Sequence, residues 1–191
     1  MSRSNKDRTA ATRAALLDAA RSLFVEQGYA DTGTPEIVRR ASVTRGALYH
    51  HFADKADLLR AVIDREAHAV AAAIDDDTSD IDHPLDALMR GCDAYFAAMR
   101  VAGRARLLLL EGPAVLGAAE MDRIDRLTGA AMLLDGLRQA AQAGALVETP
   151  LAPLAEVLSA AFDRAALAIA QGADAQPYRA ALRALLAGLF R

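Results

Sequence analysis

The stretch VTRGALYHHFADK, residues 43–55, decides how this sequence is interpreted. Thr44 is a favourable helix N-cap, and the apolar residues Leu48 and Phe52 recur at a helical spacing of four. The pattern predicts a short helix from Thr44 to Phe52, about 12 Å long from a rise of ~1.5 Å per residue. Asp54 is a second N-cap, so another helix is expected to start directly after it.

This short helix has two chemically different faces. Leu48 and Phe52 face inward together with Ala47. The outer residues are Arg45, Gly46, Tyr49 and His50. In a DNA major groove, about 12 Å wide, arginine reaches guanine acceptors or phosphate, and tyrosine and histidine donate to phosphate oxygens. Glycine allows close approach of the backbone. The alternative is a solvated surface helix; a metal site at the paired histidines is disfavoured because neighbouring helical residues point about 100° apart.

Two further helices are expected before this one, and a long helix after it. The first covers about residues 9–27, with Gly28 as a left-handed C-cap. The second starts at Thr34, whose side chain is expected to cap it. The long helix covers about residues 54–74. The following DDDTSDIDHP (75–84) is expected to be a solvated linker, since it lacks the glycine and the final glutamate of a calcium loop.

The segments LFVEQGYADTG (23–33) and TPEIVRRASVTRGALYHHFADKADLL (34–59) together resemble the DNA-binding domain of TetR-family transcriptional regulators. The resemblance covers about residues 9–60 and departs at Ser42, where the turn often has glycine, and at Pro35. It implies an all-α fold, in which an N-terminal three-helix helix-turn-helix DNA-binding domain precedes a larger C-terminal helical ligand-binding and dimerisation domain. The DNA-contacting positions that it implies are Thr34, Thr44, Arg45, Gly46, Tyr49, His50, His51 and Lys55.

The expected division of the chain follows from these segments. The helix-turn-helix domain covers residues 1–55, the linking helix residues 55–74, and the ligand-binding and dimerisation domain residues 75–191. Lys55 lies in the first turn of the linking helix, where its flexible ammonium and the positive end of that helix are both expected to contact phosphate.

Charge and composition narrow the class of protein. The 191-residue chain has a net charge of −3, but residues 1–60 hold ten Lys/Arg against seven Asp/Glu, whereas residues 61–191 hold 12 against 18. The basic end is where an anionic partner would bind. The single Cys92 excludes an internal disulfide framework. Since no apolar run is long enough for a membrane span and the N-terminus lacks the core of a secretion signal, a cytoplasmic protein without membrane contact is expected.

The second half is expected to be helical near residues 84–101, 103–111, 118–143, 153–171 and 175–190. The breaks are expected at Gly103, Gly112–Pro113, Gly144 to Pro153 and Gly172. Family resemblance implies that this half holds the effector pocket and the dimer interface.

Methionines and aromatic residues adapt to apolar ligands, and they supply the candidate pocket residues. These are Tyr95, Phe96, Met99, Met121, Met132 and Phe162. The last two helices have broad apolar faces, and pairing them across a two-fold axis would give a four-helix interface. The candidate interface residues are Leu154, Leu158, Tyr178, Leu182, Leu186 and Leu189. Intramolecular core is the alternative for both groups.

The expected function is a homodimeric repressor that binds double-stranded, palindromic operator DNA and is released by a small apolar or amphipathic effector. A regulator without a small ligand, or an activator, is the alternative within this class. A helical partner-binding scaffold or an enzyme is the alternative from another class. Because no nucleophile–base pair, phosphate loop or metal cluster is recognisable, no catalytic residue, cofactor or metal is expected.

Overall fold

The computed structural model describes residues 5–191; the predicted first domain begins at residue 1, so its first four residues lie outside the described part. The described residues confirm the all-α prediction, with one isolated antiparallel bridge between Leu146 and Phe190. None of the described helices is both long and apolar enough to cross a membrane. The elements are α1 (Asn5–Gln27), α2 (Thr34–Arg40), α3 (Arg45–His51), α4 (Lys55–Thr78), α5 (Pro84–Met99), α6 (Arg104–Arg106), a π-helical segment (Leu107–Glu111), α7 (Gly112–Leu116), α8 (Ala118–Asp125), α9 (Gly129–Gln142), α10 (Leu151–Ala170) and α11 (Ala175–Ala187).

The first three helices enclose a small core, as the spacing of apolar residues predicted. Phe24 of α1, Ile37 of α2 and Leu48 of α3 are all fully buried. Gly28 ends α1 in a left-handed conformation with φ +88°, and Tyr29 folds back so that its ring lies 5.6 Å from that of Phe24. The three helices therefore pack on one another, and the contact between Phe24 and Tyr29 fixes the end of α1.

The turns around α2 differ in two respects from the predicted ones. Gly33, not Thr34, is the N-cap of α2, and it provides no side-chain cap. Thr34 is the first helical residue, so its hydroxyl is free for another role. Ser42 has φ +54°, a left-handed conformation that costs a non-glycine residue roughly 1–2 kcal/mol. The backbone of this turn is therefore strained at Ser42, where glycine is the frequent residue.

The long helix α4 extends through residues 75–78, so the predicted linker is shorter than expected. Its N-terminus is fixed by two carboxylates: Asp54 accepts from the backbone N–H of Asp57 at 2.7 Å, and Asp57 accepts from that of Ala53 at 3.0 Å. At ~1.5 Å per residue the helix is roughly 36 Å long. It therefore runs from the three-helix unit deep into the second half, where it packs along α5.

The second half is a bundle in which α5 lies centrally, packed against α4, α9 and α11. The predicted helix 118–143 is interrupted between Asp125 and Gly129. Local polar groups explain the break: the Thr128 hydroxyl donates to the carbonyl of Ile124, and the Asp125 carboxylate accepts from the N–H of Ala130. These bonds replace the helical ladder and turn the Asp125 side chain toward the bundle.

The predicted break at Gly112–Pro113 is absent, because a π-helical turn absorbs the proline. The N–H of Gly112 bonds to the carbonyl of Leu107, five residues back, so the ladder is already offset where Pro113 lacks its N–H. A side chain at residue 112 would collide with Met121, since an added Cβ would lie 2.8 Å from its sulfur. Glycine here lets Met121 of α8 pack directly onto the start of α7.

A buried ion cluster joins the two halves of the chain. Glu66 of α4 is 4% exposed, and its two oxygens accept from the Nε atoms of Arg21 and Arg104, each at 2.8 Å. Arg21 also donates to the carbonyl of Ala102, and Arg104 to that of Ala98. One carboxylate thus connects α1, α4 and the turn between α5 and α6.

The Glu66→Gln substitution tests the weight of this cluster. Removing the charge leaves two guanidinium groups without their counter-ion in a buried site, so we expect the free energy of unfolding to fall by about 3–5 kcal/mol. Urea unfolding followed by circular dichroism at neutral pH and fixed protein concentration measures it. The matched control is Glu148→Gln, at an exposed loop residue. Equal stability of the two variants would contradict a structural role for the cluster.

Candidate functional site

The outward face of α3 is the first candidate site, and its predicted orientation is correct. Thr44 caps the helix by accepting from the N–H of Ala47 at 3.1 Å. Leu48 and Phe52 are buried. The exposed residues are Arg45, Gly46, Tyr49 and His50. Because the core holds the opposite face, these four side chains and backbone groups are presented to solvent on a rigid support.

Tyr49 is the centre of this surface. It is 44% exposed, and the guanidinium carbon of Arg45 lies 5.5 Å from the centre of its ring. Hydrogen bonding to the Thr34 hydroxyl, followed by that to Arg45, lowers the pKa of Tyr49 below its ordinary value. The first residue of α2 and the outward face of α3 therefore form one connected polar surface.

Lys55 has a more constrained position than the sequence indicated. Its Nζ donates to the carbonyls of Tyr29 at 2.8 Å and Thr32 at 2.9 Å, and it lies 4.1 Å from the centre of the Tyr29 ring. An ammonium has three N–H donors, so one is left for another acceptor. Lys55 is thus a fixed charge that holds the α1–α2 loop against α4, and its contact with DNA stays a prediction.

The surface next to Lys55 also differs from expectation. At the amino end of α4 the Asp54 carboxylate accepts from the N–H of Asp57, and the Asp57 carboxylate accepts from the N–H of Ala53, so two negative charges lie beside Lys55 at this end. His51 is half-buried beside Phe52. Burial, together with the nearby charges of His50 and Arg13, lowers the pKa of His51 and so disfavours its protonated form.

Two arginines near this surface were not among the predicted contacts. Arg39 of α2 has a side chain that is 76% exposed, with only a loose 3.7 Å pairing to Glu36. Arg13 of α1 places its guanidinium carbon 5.1 Å from the centre of the Phe52 ring. The positive balance of residues 1–60 was the signal that could have suggested them.

The second candidate site is a cavity of about 400 Å³ in the bundle, within the size range of small-molecule sites. It lies between the end of α4 and helices α5, α9 and α10, with Ile74, Leu88, Leu133 and Phe162 in its apolar wall. The ring of Tyr95 meets that of Phe162 edge-on at 5.7 Å. A ligand here would contact four helices at once.

One end of the cavity is polar and acidic. The Tyr95 hydroxyl donates to Asp163 at 2.6 Å, and the Ser159 hydroxyl donates to Asp125 at 2.9 Å. Burial raises the pKa of Asp163 to about 6; the Tyr95 hydrogen bond opposes this shift, and the charge of Asp125 adds to it. Two carboxylates are therefore held in a partly dry site by neutral donors.

The predicted pocket residues separate into three groups. Tyr95, Met132 and Phe162 line this cavity. Phe96 and Met99 instead line a second cavity, beside the turn between α5 and α6. Met121 packs on Gly112 and lines neither of the two.

Two features of the cavity region argue against metal binding and thiol chemistry. Cys92 also lines the cavity, but burial raises the pKa of its thiol to about 11, so it is unreactive as a thiolate. Among the described residues, no group of three or more His, Cys, Asp or Glu is arranged to hold a metal ion.

Half of the six candidate interface residues are buried within the single chain. Leu158, Leu182 and Leu186 are at most 4% exposed within the single chain and belong to its core. Leu154, Tyr178 and Leu189 are half-buried. The exposed apolar side chains of these helices are Val157, 67% exposed, and Leu185, 56% exposed.

Comparison with known families shows to which family the chain with these two sites belongs. Residues 16–62, which include the whole α3 surface, match the model of the bacterial regulatory proteins of the tetR family. Residues 85–191, more than half of the chain, match the model of the tetracyclin repressor-like C-terminal domain. The chain belongs to the TetR family of transcriptional regulators. The family confirms the predicted fold and consists of DNA-binding regulators, not enzymes.

Individual relatives of this TetR-family chain agree with that assignment. The A-factor receptor protein of Streptomyces griseus is 35% identical over 99 residues, which are 52% of this chain and 34% of that protein. The regulator AcrR of Shigella flexneri is 48% identical over 58 residues, 30% of this chain and 27% of AcrR. The structure of a TetR-family regulator from Pectobacterium atrosepticum has 31% identity and a TM-score of 0.78, and 98% of each chain is covered. These two curated relatives are thus matched over about a third of their length or less.

The geometry of α3 generates a prediction about base preference. Arg45 lies in the first turn of α3 beside Tyr49, and its planar guanidinium suits the paired acceptors of guanine. Arg45→Ala should cost about 1–3 kcal/mol on the preferred site and relax the preference at one base pair per half-site. Fluorescence anisotropy with single-base operator variants measures this. The control is Arg126→Ala, an exposed arginine that follows α8.

Lys55→Ala provides the contrast. Since Lys55 holds two loop carbonyls and offers one remaining donor, its loss should lower thermal stability and weaken binding to all duplexes alike. The slope of log K against log salt should fall by about one unit per lost phosphate contact. A uniform loss of affinity for all duplexes with Arg45→Ala, together with altered base preference with Lys55→Ala, would contradict these two roles.

Proposed function

We propose that the protein is a dimeric transcriptional repressor, acting in the cytoplasm, that releases palindromic operator DNA when a small molecule fills the bundle cavity. The observation that carries this proposal is the course of α4. Its first residue, Lys55, is bonded to the α1–α2 loop, and its last turns, at Ile74, Asp75 and Thr78, line the cavity. One continuous helix therefore joins the DNA-facing unit to the space that a ligand would occupy.

The DNA-facing role rests on the α3 surface. Arg45 would contact a base edge or phosphate, and the hydroxyls of Tyr49 and Thr34 would donate to phosphate oxygens. Gly46 is exposed in the first turn and has no side chain to hold the helix away from the groove floor. Arg39, on the neighbouring helix, adds an exposed positive charge where the backbone of the duplex would pass.

The release mechanism rests on a second contact between the halves, beside α4. Glu111, at the end of the π-helical segment, accepts from the backbone N–H of Tyr29 at 3.2 Å and pairs with Arg106 at 2.8 Å. A shift of α4 relative to the π-helical segment would change both the Glu66 cluster and this contact. A ligand needs only a higher affinity for the shifted arrangement to weaken operator binding, and operator DNA would weaken ligand binding by the same factor.

The proposed dimer uses the outward faces of α10 and α11. Val157 and Leu185 are large, apolar and exposed, and their neighbours on the same faces are small. Those exposed neighbours are Ala160 on α10, Pro177, Ala181 and Ala184 on α11, and Gly188 directly after α11. Small residues allow helices of two copies to approach closely, and a two-fold axis would build the four-helix interface typical of such assemblies.

Selection of bound sequences from random duplex DNA tests the proposed function directly. A two-fold dimer with one α3 per protomer should enrich an inverted repeat whose half-sites are about 34 Å apart or a multiple of that distance. The enriched site should lose affinity steeply as salt rises. Enrichment of no sequence, or of a single unrepeated half-site, would contradict a dimeric operator-binding repressor.

A pair of substitutions tests the interface. Leu185→Asp would place a carboxylate at the centre of the proposed α11 contact, so we expect a monomer by sedimentation equilibrium and loss of operator binding. The matched control is Leu127→Asp, because Leu127 is 64% exposed but lies between α8 and α9. If Leu185→Asp leaves the dimer dissociation constant unchanged, or if Leu127→Asp disrupts the dimer, the interface lies elsewhere.

A further inference from the structure

The charge of the cavity indicates which chemical class of ligand it takes. Four aspartates line it: Asp125 and Asp163 at the buried end, and Asp75 and Asp135 at the exposed rim. Among these described lining residues there is no Lys, Arg or His. Arg138 pairs with Asp135 at the rim, and no ion pair to Asp125 or Asp163 is found among the described residues.

The carboxylates of Asp125 and Asp163 are half-buried, and the hydrogen-bond donors that contact them are neutral. Asp163 is bonded to the Tyr95 hydroxyl, and Asp125 to the Ser159 hydroxyl and the N–H of Ala130. Their mutual repulsion contributes to the raised pKa of Asp163, after the larger effect of burial. Carboxylates held in this way favour an entering cation and disfavour an entering anion.

The aromatic and apolar part of the cavity lining suits the rest of such a ligand. The edge-to-face rings of Tyr95 and Phe162 border the acidic end, where an ammonium group can also contact an aromatic face. Ile74, Leu88 and Leu133 provide apolar surface for a hydrocarbon or aromatic body. The cavity thus joins an anionic end to an apolar region within one space of about 400 Å³.

We propose that the cavity binds a cationic amphiphile, a protonated or quaternary amine carrying an apolar body, with the ammonium between Asp125 and Asp163. The inference rests on the proposed function in treating this cavity as the effector site, and it specifies the charge of the effector. A divalent metal ion is a poorer occupant, since no group of three metal-binding side chains is arranged for one among the described residues. A carboxylate or phosphate ligand would meet uncompensated negative charge.

The test uses three probes with one phenylbutyl body and different charge: 4-phenylbutylamine, 4-phenylbutan-1-ol and 4-phenylbutyrate. Isothermal titration calorimetry on the full chain at neutral pH should show the amine binding at least about tenfold more tightly than the alcohol. The probe 4-phenylbutyrate should bind most weakly. Asp163→Asn keeps an acceptor for the Tyr95 hydroxyl and removes the charge, so it should weaken the amine at least about tenfold and leave the alcohol within about twofold. Asp122→Asn, at an exposed residue of α8 outside the lining, is the matched control.

Each outcome decides the inference. It is overturned if the alcohol or butyrate binds as tightly as the amine, if Asp163→Asn leaves amine binding unchanged, or if the amine gives no saturable binding. Operator release, measured in parallel, separates this inference from the proposed function. Amine binding that depends on Asp163 without operator release would support the cationic site and refute the effector role. Operator release by 4-phenylbutan-1-ol alone would support the effector role of the cavity and refute the preference for a cation.

Discussion

The carboxylate of Glu66 is the constraint on which the relation between the two halves of the molecule depends. Burial alone would raise the pKa of this group, but the hydrogen bonds from Arg21 and Arg104 outweigh burial and leave the pKa below its ordinary value. Because the folded-state pKa is depressed, this contribution to stability is complete at neutral pH. It is lost as pH falls through the folded-state pKa. At neutral pH, α1, the middle of α4 and the start of α6 are therefore held in one arrangement.

The three-helix unit and the bundle are joined by a small number of polar contacts in addition to apolar packing. The apolar core is continuous from the three-helix unit into the bundle, and two polar contacts add to it: the Glu66 cluster and the bond from the N–H of Tyr29 to Glu111. Polar contacts of this kind depend on distance and direction, so a small displacement breaks them while apolar packing adapts. The cavity lies at the far end of α4, and the π-helical segment lies between the two contacts. Under the proposed function, a short series of charged groups would connect occupancy of the cavity with the orientation of α3.

Local chemistry made much of the fold predictable from the sequence. The Thr44 cap, the left-handed Gly28 and the inward Leu48 each depend on residues within one or two helical turns, and all are confirmed. What the sequence could not supply were contacts between distant segments. Lys55 is 26 residues from Tyr29, whose carbonyl it binds.

The same limit applies to the second half. Leu182 and Leu185 both lie on an apolar helix, and only the packing of α11 against α5 decides which is core and which is exposed. The meeting of two aspartates at the acidic end of the cavity could not be predicted from the sequence for a related reason. Asp125 and Asp163 lie on different helices, and nothing in their local sequence distinguishes them from surface aspartates.

The most direct measurement of the central claim, that α4 transmits cavity occupancy to the α3 surface, needs no ligand. A Cβ added to Gly91 would lie 3.6 Å from Ile74 and 3.7 Å from Thr78 on α4, so alanine fits there, whereas leucine would press on the end of that helix. Operator affinity should be unchanged in Gly91→Ala and weaker by about 1–3 kcal/mol in Gly91→Leu, the usual range of coupling between sites. A folded, dimeric Gly91→Leu protein that binds operator with unchanged affinity would contradict the account.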